Sequence, residues 1–286
     1  MDLVAVTGST GNIGRRVAGR LAAAGVPLRL VVRDHARAPR LDGASTATAA
    51  GYSDVDSMRS ALDGAATLFL VSGRENADRV REHRCAVDAA IAAGVGRIVY
   101  TSFLGAAPDA TFTFARDHWH TERYIEATGV AFTFLRDSLY QASLAYMASA
   151  DGVIRGPAGE GRVSAVAFDD VADVAVAVML GSGHDGRTYD VTGPEALTLD
   201  EVAAELSLAV GRPIRYEPET IEEAYASRAH YGAPEFEVAG WVTSYVAIAT
   251  GEMATVSDAV PRVAGRPAQD FADFLTRNPG AYVHLL

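Results

Sequence analysis

Apolar residues in the first half of the chain follow two alternating rhythms. Short runs at Leu3 to Val6, Leu28 to Val32, Thr67 to Val71, Arg97 to Thr101 and Ala131 to Leu135 have the length of buried strands. A weaker strand is expected near Ser45 to Ala50, ahead of Tyr52. Between most of these runs the apolar positions recur at helical spacing, as at Ile13, Val17, Leu21 and Ala24, where Gly25 stops the helix. Strand alternating with helix predicts an α/β fold with a doubly wound parallel sheet and helices on both faces.

The first strand breaks into Thr7-Gly8-Ser9-Thr10-Gly11-Asn12-Ile13-Gly14, glycines spaced GxxGxxG ahead of a helix. In a Rossmann-type sheet this junction holds a dinucleotide pyrophosphate. Gly8 permits the tight turn, Gly11 lets backbone approach the phosphates and Gly14 allows close helix packing. The amides of Asn12 and Ile13 and the hydroxyl of Thr10 face the anion in this reading.

From about Tyr140 the pattern loosens into glycine-containing loops such as Gly152 to Gly161. Thr198-Leu199-Asp200-Glu201 reads as a capping box for a helix closed by Gly211, and Thr220 to Glu223 repeats the signal. The domain reading is a dinucleotide-binding domain over 1–150 and a smaller C-terminal substrate lobe over 151–286. The segment near 180–195, with Thr188 to Val191 as a strand, is expected to return to the main sheet.

The chain has 286 residues and a formal net charge of -11, which argues against nucleic acid as a partner. No apolar stretch reaches the roughly 18 to 20 residues that span a bilayer, and no signal peptide is read before Leu3, so no membrane role and a cytoplasmic location are expected. A single cysteine, Cys85, excludes an intrachain disulfide and a cysteine-based metal cluster. All 25 Lys and Arg residues are arginine. The absence of lysine removes Schiff-base chemistry and every mechanism that needs an ammonium group.

Ligands of such sheets lie beyond the carboxyl ends of the strands. After the second strand comes Arg33-Asp34: an arginine there suits the 2′-phosphate of NADP(H), whereas Asp34 turned inward would suit NAD(H). NADP(H) is favoured and NAD(H) stays open. Tyr52, then Val71-Ser72-Gly73, then Thr101 mark further strand ends where the cofactor is expected. Ser102 would face the nicotinamide. His118 and His120, two apart, share no helical face, so no metal site is read; His118 and Glu122, four apart, share one and could pair.

Thr7 to Gly14, Val32-Arg33, the Tyr52 segment, Ala93-Gly94-Val95, His120-Thr121-Glu122 and Leu135-Arg136-Asp137 together resemble the NmrA-like atypical short-chain dehydrogenases. Ser164 to Ala172 and Thr192-Gly193-Pro194 extend the likeness to nearly the whole chain. Within that family, the branch of type 2 NAD(P)H:quinone oxidoreductases and triphenylmethane reductases is the most similar. The chain departs from the usual dehydrogenase in lacking the tyrosine and lysine pair that protonates a carbonyl oxygen. It also carries Gly51 where relatives often have an acidic residue before the tyrosine.

The resemblance implies an oxidoreductase that passes hydride from NADPH to a quinone or extended aromatic substrate without that pair. His118, Tyr140 and Ser102 are the expected catalytic groups. Phe103, Phe114, Trp119, Arg136 and Ser138 are the expected substrate contacts, the aromatics stacking on a flat ligand. Two other readings stay open: a dinucleotide-binding redox sensor with a protein partner, and a tailoring enzyme for aromatic natural products. A homodimer is compatible with any of them.

Overall fold

The computed structural model describes residues 2–286. Strands β1 (Val4–Val6), β2 (Leu28–Val32), β3 (Ala44–Thr48), β4 (Thr67–Leu70), β5 (Arg97–Phe103) and β6 (Ala131–Asp137) alternate with helices α1 (Asn12–Ala23), α2 (Val55–Leu62), α3 (Arg79–Ala92) and α4 (Thr113–Ala127). Beyond them lie α5 (Gln141–Met147), β7 (Val153–Gly156), β8 (Arg162–Val163), α6 (Phe168–Leu180) and β9 (Arg187–Val191). The main sheet has the order β3-β2-β1-β4-β5-β6-β9, and β1 to β5 pair in parallel. The order reverses between β1 and β4, which makes the carboxyl ends of those two strands the crevice of a Rossmann-type sheet. The strand expected around Thr188 to Val191 is β9, and it does belong to this sheet.

The chain folds as two compact units. One holds the chain through Phe103 together with Asp117–Arg136 and Val171–Tyr189; the other holds Leu104–Arg116, Asp137–Asp170 and Asp190–Leu286. In the first unit, Met58, Leu62, Leu68, Leu70, Val87, Ile98, Tyr100 and Phe134 form a buried cluster in which α2, α3 and the sheet meet. Leu68, Leu70, Ile98, Tyr100 and Phe134 of this cluster fall in the apolar strand runs of the sequence, so there the rhythm and the core coincide.

In the second unit, α7 (Leu199–Val210) begins at a capping box in which Thr198 Oγ1 accepts from the Glu201 amide and Glu201 accepts from the Thr198 amide. It ends at Gly211 in the left-handed region, φ 77°. A second capping box, Thr220 with Glu223, opens the helix Ile221–Arg228. Both boxes stand where the sequence pattern places them, because capping is decided within four residues.

The sequence ends β5 at Thr101 and β6 at Leu135; both strands run two residues further. Ser102, Phe103 and Arg136 are therefore strand residues, not loop residues beyond the sheet. Among the described residues no helix is long and apolar enough to cross a membrane.

Candidate functional site

The glycine turn carries out three separate tasks. Gly8 has φ +60°, and a Cβ there would stand 3.0 Å from Val71 Cβ. The Gly11 amide donates to Gly8 O at 2.8 Å, closing the turn. At Gly14 a Cβ would run into Gly8 O and lie 2.8 Å from Thr7 O, a contact that only glycine allows. Gly11 itself is extended at the N-cap of α1, with no side-chain cap and no acidic residue in the first turn. The amides of Asn12, Ile13 and Gly14 consequently lack protein acceptors, an arrangement suited to an anion.

Two groups around this turn were not singled out in the sequence. Ser9 is 1% exposed, yet its Oγ has no hydrogen-bond partner, an orphaned buried hydroxyl inside the phosphate-type turn. Arg37 lies with Thr10, Arg33 and Asp34 around a recess of about 370 Å³ beyond β2. Asp34 Oδ1 accepts from the Ala36 amide at 3.0 Å and so caps the short turn His35–Arg37. The acid whose inward turn would have suited NAD(H) is thus engaged by its own backbone, and two guanidinium groups share the recess. Orphaned hydroxyl, open helix amides and paired arginines fit a dinucleotide carrying a further phosphate.

Tyr52 rivets the neighbouring strand ends. Its hydroxyl donates to Val71 O at 2.6 Å and lies 2.7 Å from Thr7 Oγ1, which accepts from the Val71 amide at 2.9 Å. Burial pushes the phenol up to about 12, keeping it a neutral donor. At the ends of β4 and β5, Thr101 Oγ1 accepts from the Ser72 amide at 2.7 Å.

On α4 the two groups expected to pair have other partners. His118 Nδ1 lies 3.0 Å from Tyr100 Oη, and its Nε2 accepts from Arg79 at 3.1 Å. Glu122 instead accepts from Ser102 Oγ at 2.6 Å and from Arg136 Nε and NH2 at 2.9 and 2.6 Å. Spacing of four puts both side chains on one face, but that face meets α3 and β5 at His118 and the strand guanidinium at Glu122. Burial, then the positive charge of Arg79, holds His118 well below the ordinary histidine range and takes His83 down to about 3. Both imidazoles are neutral.

The remaining predicted residues divide between the units. Phe103 packs its ring 6.1 Å from that of His118, and half-buried Trp119 packs against His120 at 5.0 Å, both within the first unit. In the second unit, Phe114 lies so close to Gly240 that a Cβ there would collide with its ring. Tyr140 donates to Asp137 Oδ2 at 3.2 Å and packs on Phe168, with ring centroids 4.4 Å apart. Ser138 Oγ is buried with no hydrogen-bond partner. Asp137 is 1% exposed, and burial pushes its carboxyl well above the usual range.

Comparison with known proteins matches residues 1–239 to the NmrA-like family. The chain belongs to the NmrA-like family. It is 35% identical over 284 residues to an NAD(P)H azoreductase of Xenophilus azovorans, covering 98% of this chain and 99% of that one. The NADPH-dependent quinone oxidoreductase of Escherichia coli, solved with NADPH, superposes with a TM-score of 0.87 at 30% identity, covering 96% of this chain and 99% of the other. The Citrobacter triphenylmethane reductase, solved with NADP(H), superposes at 0.84 with 29% identity over 96% of this chain and 99% of that one. The branch that the sequence motifs resemble is thus represented among the solved structures this chain is similar to.

Proposed function

We propose that this NmrA-like chain is an NADPH-dependent reductase of quinones or of related extended aromatics such as dyes. The observation that carries the reading is the recess beyond β2, where Arg33 and Arg37 stand together while Asp34 is turned onto its own backbone. Two guanidinium groups recognise a 2′-phosphate by charge-assisted hydrogen bonds, and neither would be needed for a free ribose hydroxyl. The likeness to an NAD(P)H azoreductase and to NADPH-bound reductases supports the same class.

Gly8, Thr10, Gly11, Asn12, Ile13 and Gly14 would hold the pyrophosphate, with Ser9 as a further hydroxyl donor. The cofactor supplies a hydride. The chain has no lysine to lower a tyrosine pKa, so the proton must come by another route. All three expected catalytic groups have protein partners: Ser102 donates to Glu122, both ring nitrogens of His118 are engaged, and Tyr140 donates to Asp137 in the longest of the hydroxyl bonds, 3.2 Å. We assign proton delivery to Tyr140, whose hydroxyl donates to Asp137, a buried carboxyl whose pKa burial pushes well above the usual range. Quinone reduction makes a modest demand on this donor, because the product is an aromatic hydroquinone.

The test mixes purified protein and NADPH with a panel of small quinones, azo dyes and triphenylmethane dyes, and follows cofactor absorbance. Oxidation above background with at least one class is the expected result. No oxidation with any of them, while NADPH still binds, would overturn the proposal.

A further inference from the structure

Gly73, just beyond β4, has its backbone gripped from both sides by α3. Its amide donates to His83 Nε2 at 2.8 Å, and its carbonyl accepts from Arg79 Nε at 2.9 Å. Arg79 is 2% exposed and His83 fully buried. The preceding residue is held as well, since the Ser72 amide donates to Thr101 Oγ1. Three successive backbone groups at the mouth of the crevice thus have side-chain partners contributed by β5 and α3.

The partners are themselves locked. His83 Nε2 accepts from Gly73, so its proton resides on Nδ1, 2.9 Å from Thr121 Oγ1, and Thr121 in turn donates to Asp117 O at 2.8 Å. Arg79 reaches past Gly73 to His118 Nε2, and His118 Nδ1 reaches Tyr100 on β5, the residue next to Thr101. Arg79 NH1 is buried with no hydrogen bond, the Asp117 carboxylate standing 3.6 Å away. Burying a guanidinium and two imidazoles is costly, and joining β4 to α3 does not require it.

We infer that His83 and Arg79 are positioning residues that set the Ser72–Gly73 backbone as a rigid platform for the nicotinamide half of the cofactor. The inference rests on the proposed cofactor reading for what lies on the platform. Gly73 suits that role because its face is bare backbone, and because a Cβ there would press on His83 Nε2 at 3.3 Å. A preset platform holds the ring in a reactive orientation without reorganisation at each turnover.

Two full-length variants separate positioning from mere packing. His83→Asn keeps a polar group near Thr121 but cannot reach Gly73, whereas His83→Gln carries an acceptor long enough to do so. In His83→Asn the Gly73 amide, followed by hydrogen exchange without cofactor, should lose about tenfold in protection, and NADPH should bind about tenfold more weakly, as for one lost hydrogen bond. Adenosine 2′,5′-bisphosphate, which lacks the nicotinamide half, should bind as in the parent. His83→Gln should restore both protection and NADPH affinity. Unchanged protection in His83→Asn, or equal weakening of NADPH and the bisphosphate, would overturn the inference. A parent protein that fails to bind NADPH would defeat the cofactor reading, and hydrogen exchange would still decide whether the clamp exists.

Discussion

Arg136 grips Glu122 with two nitrogens, Nε at 2.9 Å and NH2 at 2.6 Å, and the Glu122 side chain has no exposed surface. A carboxylate this deeply buried needs its cation, because desolvation must be offset by direct hydrogen bonds. Arg136→Ala is expected to destabilise the protein by about 1.5 to 3 kcal/mol, the range for hydrogen bonds to a charged group, since the Arg123 guanidinium 3.7 Å from Glu122 remains as a cation. Glu122→Gln should lose less, since an amide oxygen still accepts from Ser102. Urea unfolding at neutral pH measures both. If Arg136 served substrate binding alone, its variant would unfold like the parent and only KM would change.

Arg33→Ala should weaken NADPH by about 1.5 to 3 kcal/mol, the range for hydrogen bonds to a charged group, with NADH little affected. Arg37→Ala should show the same selectivity, because both residues line the recess beyond β2. Titration calorimetry with the two cofactors reads the difference. Equal losses for NADH and NADPH would remove the 2′-phosphate assignment.

Two glycines of α1 should respond oppositely to alanine. Gly14→Ala drives a methyl into Gly8 O and Thr7 O, so we expect a loss of about 1 to 3 kcal/mol and of cofactor binding. Gly19 has nothing within 4 Å of an added Cβ, and Gly19→Ala should stabilise the helix by about 0.5 to 1 kcal/mol. Thermal melts with and without NADPH test the pair.

The buried histidines make stability depend on pH. His83 is held down to about 3 and His118 also lies well below its ordinary value, so both stay neutral in the fold while the unfolded chain protonates them near 6.5. Their contribution is complete above that value and declines as pH falls, at about 1.4 kcal/mol per pH unit for each. For His83 the decline ends near 3. Asp137, with its pKa raised, opposes this trend, since the fold retains a proton that the unfolded chain releases. Urea unfolding from pH 7 to 5 should therefore show a slope about one proton shallower in His83→Gln than in the parent.

Asp137→Asn keeps an acceptor for the Tyr140 hydroxyl while removing a carboxyl that burial disfavours in its charged form. Melting temperature at neutral pH should rise and kcat should fall, because the amide cannot resupply a proton. A variant with unchanged kcat would take Asp137 out of the proton route.

The sequence by itself determined the features that short stretches decide: the strand and helix rhythm, the GxxGxxG turn and the capping boxes at Thr198 and Thr220. Helical period, positive φ and caps are settled within one or two turns of chain, so they can be read without knowing the fold. The tertiary structure decided which partner each polar group found. His118 and Glu122 share a helical face, yet their partners come from 14 to 39 residues away: Arg136, Tyr100, Ser102 and Arg79. The Asp34 cap on the Ala36 amide, and Arg37, Ser9 and the clamp on Gly73, emerged only once strands and helices were in place. Spacing along a helix says which side chains share a direction; which group waits there depends on how distant segments pack.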